Sequence, residues 1–99
     1  IAEAGAIPPL VELLRDGSPD AKQTAAGALG DLARLHANKV PIAEAGGIPL
    51  LVELLRDGST DAKQTAAEAL GDLALNANNK VLIAEAGGIP LLVQLLRDG

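Results

Sequence analysis

Residues 46–58 read GGIPLLVELLRDG, and the same phrase stands at position 5 as GAIPPLVELLRDG and at position 87 as GGIPLLVQLLRDG. The interval is 41 residues both times. Residues 1–41 laid over 42–82 differ at nine positions and agree at 32. Residues 83–99 repeat 42–58 with one change, Gln94 for Glu53. The chain is therefore two units, 1–41 and 42–82, and a partial third, 83–99. Self-similarity at this period marks a stack in which each unit buries its apolar face on its neighbours. The 99 residues read as one such array.

Each unit resolves into three helical segments. In residues 38–45, Asn38 is expected to cap a short helix, Pro41 falls in its first turn and Gly46 stops it. A middle helix is expected to start at Pro8, Pro49 or Pro90, the favoured first helical position. Leu50, Leu51, Leu54 and Leu55 give that helix a broad apolar stripe. Gly17 and Gly58 end it. Ser18 or Ser59 caps a longer third helix, Pro19 sits at its first position, and Asp20 and Asp61 favour the positive end of its dipole. It is expected to run to about His36 or Asn76. No stretch alternates as a strand does, so the fold is all-α, and a right-handed solenoid is the expected architecture.

The pattern IAEAGGIPLLVELL followed by AKQTAAEALGDLA, with three helices in about 41 residues, resembles the armadillo repeat over the whole chain. The Gly-Gly-Ile-Pro junction points to it over the two-helix HEAT relative. The resemblance implies an all-α, right-handed α-solenoid of three-helix armadillo-type repeats. It implies a non-catalytic protein–protein interaction module whose concave long-helix face takes an extended peptide. In that family Asn side chains near the end of each third helix bond the peptide backbone, and a Trp one turn earlier forms pockets. Alignment on ALGDLA puts Asp31 and Asp72 where the Asn stands, and Gly27 and Glu68 where the Trp stands. A carboxylate accepts hydrogen bonds but does not donate them, so the amide clamp is lost and an acidic groove suited to a basic segment remains. The near-identity of the copies resembles a consensus-like array, natural or designed.

Composition narrows the function further. Hydrophobic residues make up 48% of the chain, yet Phe, Tyr, Trp, Met and Cys are all absent, so the core is Leu, Ile, Val and Ala. Such a core fills space only if helices approach closely. Without cysteine there is no disulfide framework or thiolate metal site, which fits a reducing, cytoplasmic or nuclear setting. The apolar runs fall short of the roughly 20 residues that span a bilayer. The chain opens on Ile1 rather than Met, which reads as a fragment, a processed product or an engineered piece. The net charge of −5 opposes nucleic acid and anionic membranes and favours a basic partner.

On the long helix, Ala25, Ala28, Leu29 and Leu32 form the expected buried side. Gln23, Gly27, Gly30, Asp31 and Arg34 form a stripe on another face, matched by Gln64, Glu68, Gly71, Asp72 and Leu75. The peptide-binding candidates are Gln23, Gly27, Asp31, Arg34, Gln64, Glu68 and Asp72. Glycine inside a helix costs about 0.5–1 kcal/mol against alanine; close packing of adjacent long helices is the expected offset for Gly27, Gly30 and Gly71. Glu3, Glu44, Glu85, Asp16, Asp57 and Asp98, with Arg15, Arg56 and Arg97, recur with the fold, whereas a catalytic site is unique, so they read as helix-end charges. His36 has no second His, Cys or Ser–Asp set to serve it. Residues 45–49 (AGGIP) are Gly-rich but lack the Lys and spacing of a phosphate loop. No catalytic, cofactor or metal site is expected.

Arrays close with polar capping repeats, and this chain shows none. Ile89, Leu91, Leu92, Leu95 and Leu96 lack a long helix to cover them, so self-association is expected, as an end-to-end stack or a swapped dimer. Between Asn76 and Ile83 there is neither Pro nor Gly. The long and short helices have the option of fusing there, opposed by Asn76, Asn78 and Asn79, which favour caps and turns.

Overall fold

The computed structural model describes residues 2–98, with side chains for 5–97. Among the described residues seven helices follow one another: α1 (Ala2–Asp16), α2 (Pro19–Ala33), α3 (His36–Glu44), α4 (Gly47–Asp57), α5 (Thr60–Leu73), α6 (Ala77–Glu85) and α7 (Gly88–Asp98). The described residues contain no strand. The long helices α2 and α5 lie side by side. Helix α1 packs on α2, α4 packs on α5, and α7 lies beside α4. The Cα radius of gyration, 12.0 Å, is close to the about 13 Å of a 100-residue globule, so this few units do not yet lengthen into a visible superhelix.

The long helices begin as the sequence predicts. Ser18 Oγ accepts from the Ala21 N–H at 3.1 Å, and Ser59 Oγ accepts from the Ala62 N–H at the same distance. Each removes one orphan donor from the first turn. The glycine before each cap is needed for space rather than for a left-handed backbone. Gly58 is extended, with φ −76°, and a Cβ on it would lie 2.6 Å from the Leu54 carbonyl oxygen and 3.0 Å from the Ala62 Cβ.

The middle helices start differently from expectation. Gly46 and Gly87 adopt φ of 90° and 85°, and the helix begins at the next residue, two before Pro49 or Pro90. The proline then sits third, where its missing N–H would have had no intrahelical acceptor. The second glycine permits the bend. A Cβ on Gly47 would lie 2.9 Å from the Ile42 Cγ2, and one on Gly88 would lie 2.8 Å from the Ile83 Cγ2. The first unit carries Ala6 at this position, and there α1 runs unbroken through Gly5, Pro8 and Pro9. At this junction the first unit differs from the second by Ala6 for Gly47 and Pro9 for Leu50.

The ends of the long helices also differ. Helix α2 stops at Ala33, and His36 opens α3 instead of closing α2. Asn38 is not a cap: it is buried inside α3, and its Nδ2 donates to the Leu32 carbonyl at 2.9 Å. The cap position belongs to Leu35 in the first unit and to Asn76 in the second, where the Asn76 side chain accepts from the Asn79 N–H at 3.1 Å. The chain turns at residues 74–76, so α5 and α6 do not fuse. Asparagine's preference for caps outweighs the lack of Pro or Gly.

The core is aliphatic. Ile7, Val11 and Leu14 of α1, Leu29 of α2, Leu51 and Val52 of α4, and Leu70 and Leu73 of α5 are all buried. Buried alanines line the long helices, among them Ala25, Ala26, Ala66 and Ala69. Small side chains bring α2 and α5 together: a Cβ on Gly30 would lie 3.3 Å from the Ala69 Cβ.

Candidate functional site

Three features of the surface are shaped by the repeat: the long-helix face, the grooves between units, and the outer side of α7. On the long-helix face, Asp31 and Arg34 are exposed and form an ion pair at 3.8 Å, with both side chains about three-quarters open to solvent. Such a pair contributes little to stability, which leaves the carboxylate available to a ligand. Gln64 and Glu68 are exposed, and Gln23 and Asp72 are half-buried. Gly27 is half-buried, and a Cβ there would meet the Thr65 Cγ2 at 3.7 Å, an ordinary contact. Gly30 departs from the expected stripe: it is buried against α5. The buried side of α2 is Ala25, Ala26, Leu29, Gly30 and Ala33, while Ala28 and Leu32 are half-buried. Gly71, the counterpart of Gly30, has no neighbour within 4 Å because no described helix lies beyond α5.

Sequence reasoning did not find the grooves. At the first junction a groove of about 290 Å³ is lined by Leu14, Leu50 and Leu54, together with Asp20, Lys22, Gln23, Glu53, Asp57 and Ser59. Three carboxylates face one ammonium there. The counterpart at the second junction, about 360 Å³, is lined by Leu55, Leu91 and Leu95 with Arg56, Thr60, Lys63 and Gln94. Two cations line it and, among the described residues, no carboxylate does. The sequence carries one part of this charge difference, Gln94 in place of Glu53.

Helix α7 differs from α4 by that one residue, yet its apolar stripe is open. Leu55 is 3% exposed and Leu96, its counterpart, 88%. Val52 is 1% exposed and Val93 46%; Ile48 is 1% and Ile89 50%. Leu91, Leu92 and Leu95 are half-buried and lean on the core. Val93 was absent from the expected set, as its counterpart Val52 was from the expected stripe of the middle helix; the burial of Val52 reveals it.

The remaining charged candidates are dispersed. Glu44, Glu85, Asp16, Asp57, Arg15 and Arg56 are exposed, as is His36. The side chains of Glu3 and Asp98 lie outside the described residues. Among the described residues no three of His, Cys, Asp and Glu come together as a metal site. No single helix there is long and apolar enough to cross a membrane.

Stacked helices with one direction of repeat, a core shared between units and recurring inter-unit grooves define the class: an α-solenoid repeat protein. Residues 7–99 match the family of HEAT repeats, and the chain belongs to that family. HEAT repeats commonly mediate protein–protein interaction and are typically non-catalytic scaffolds. No curated protein and no solved structure matches the chain.

Proposed function

We propose that the chain is a protein–protein interaction module of the armadillo type within this class of solenoid. It forms one right-handed array of units 1–41, 42–82 and 83–99, and works inside the cell, in cytoplasm or nucleus, without catalysis. Its partner is an extended, basic peptide lying across α2 and α5. The observation that carries this reading is the run of carboxylates across the two units: Asp31 and Glu68 exposed on adjacent long helices, with Asp20, Glu53 and Asp57 around the first groove. Leu14, Leu50 and Leu54 in that groove suit the aliphatic stem of a Lys or Arg, whose charged head would meet the carboxylates. The test is titration with a labelled Lys/Arg-rich peptide. Binding should weaken with salt and fall by about two- to fivefold for Glu68→Gln and again for Asp72→Asn, as expected of exposed charge pairs. Equal binding of an uncharged peptide of the same length would sink the reading.

A second reading is favoured by the open stripe of α7: the 99-residue chain self-associates. Leu96, Val93 and Ile89 are fully buried at the equivalent places in α4 and open here. Light scattering over a dilution series should give a mass that rises with concentration. A constant monomer mass removes this reading and leaves the first intact.

A further inference from the structure

We propose that the partner peptide lies lengthwise along α2, with one basic side chain in the first groove and a second at Asp31. The inference rests on the basic-peptide reading and fixes the path of the peptide and the spacing of its charges. Asp20 lines the groove, and Asp31 stands eleven residues further on in the same helix. Eleven residues make three helical turns and about 20° more, so the two carboxylates share one face, about 16 Å apart. Gly27 lies between them on that face, where a Cβ would touch only the Thr65 Cγ2, at 3.7 Å, among the described residues. Its counterpart on α5 is the exposed Glu68. The lane along α2 is therefore clear, whereas a side chain stands in the matching lane of α5. A neighbouring long helix does not close this face. Asp20 and Asp31 are exposed with α5 on one flank of α2, and Asp61, the counterpart of Asp20, is exposed with α2 on the other flank of α5.

Charge is unmatched at both ends of the lane. In the groove, Asp20 comes from α2, and Glu53 and Asp57 from α4. Among the described residues none of the three forms an ion pair, with Lys22 or with any other cation. Glu53 and Asp57 stand four residues apart on one helix, where like charges repel. A cation brought by the peptide relieves that repulsion, and the buried Leu14 and Leu54 seat its stem. At the other end, Asp31 holds only its loose, exposed pair with Arg34, which a peptide cation can displace. An extended chain advances about 3.3 Å per residue, so two basic residues about four to six positions apart reach both ends.

Fluorescence anisotropy with two labelled peptides of one composition tests the path. In one, two arginines stand about five residues apart in a Gly/Ser background; in the other they are adjacent. At low salt the spaced peptide should bind the chain about three- to fivefold tighter. Glu53→Gln, the exchange that Gln94 already makes in the third copy, and Asp31→Asn should each bring the two peptides to within about twofold of one another. Gly27→Leu fills the lane without altering charge and should do the same, with circular dichroism showing each variant as helical as the parent. Salt-sensitive binding that ignores the spacing overturns the path and leaves the basic-peptide reading standing. So does a spacing preference that survives Gly27→Leu. If neither peptide shows salt-sensitive binding, both fall.

Discussion

Asn79 of α6 reaches across the repeat boundary and donates from Nδ2 to the carbonyl oxygen of Lys39 in α3, at 3.2 Å. The same nitrogen donates to the Leu73 carbonyl within its own unit at 3.0 Å. The side chain is 1% exposed. One amide thus fixes both the end of its own long helix and the position of one unit on the next. Asn38 holds the Leu32 carbonyl in the same way, and the Lys39 ammonium donates to the Ala33 carbonyl. Buried carbonyls at a helix end need such donors.

Asn79→Ala removes two hydrogen bonds made by a buried amide, although the Leu73 carbonyl keeps the Asn76 N–H at 3.2 Å, and should cost about 1–3 kcal/mol in urea denaturation. Asn76→Ala removes a cap near the surface and should cost about 1 kcal/mol. Equal losses would contradict the double role of Asn79.

Gly5 and Gly46 occupy the same place in the repeat but should respond to alanine with opposite signs. Gly5 is exposed inside α1 with nothing within 4 Å, so Gly5→Ala should stabilise by about 0.5–1 kcal/mol. Gly46 has equally open surroundings but φ +90°, so Gly46→Ala should destabilise by about 1–2 kcal/mol. Thermal unfolding of the two variants compares them directly.

The long-helix glycines should separate likewise. Gly30→Val places bulk against Ala69 and should cost about 1–3 kcal/mol. Gly71→Ala meets open space and should stabilise by up to about 1 kcal/mol. A stabilised Gly30→Val would mean that α2 and α5 separate more easily than their spacing implies.

Leu55 and Leu96 carry the same side chain at equivalent sites. Leu55→Ala should cost about 2–5 kcal/mol, since Leu55 is 3% exposed. Leu96→Ala, at 88% exposed, should change the stability of the dilute chain by less than about 0.5 kcal/mol.

Much of this architecture was legible because it rests on local chemistry. Ser18 and Ser59 announced the long helices, and the Leu50, Leu51, Leu54 and Leu55 stripe announced a shared core. Asn38 misled because a side chain two residues past a helix start looks like a cap until the backbone shows where its amide points. Pro49 misled because proline suits any position of the first turn, and the adjoining left-handed Gly46 decides which. The face of Gly30 was misplaced because a helical wheel does not say which direction the neighbouring helix takes. The grooves were invisible because each draws residues from three or more helices. The carboxylates Asp31, Glu68 and Asp72 were legible as members of one helical stripe from their own spacing, and alignment to a family pattern added only the role.

The alanine at position 6 has a genetic corollary. Alanine and glycine codons differ only in their second base, so a single transversion there would give the first unit the same GG pair that bends the other two. Even so altered, the first unit would keep Pro9 where the other two carry Leu50 and Leu91.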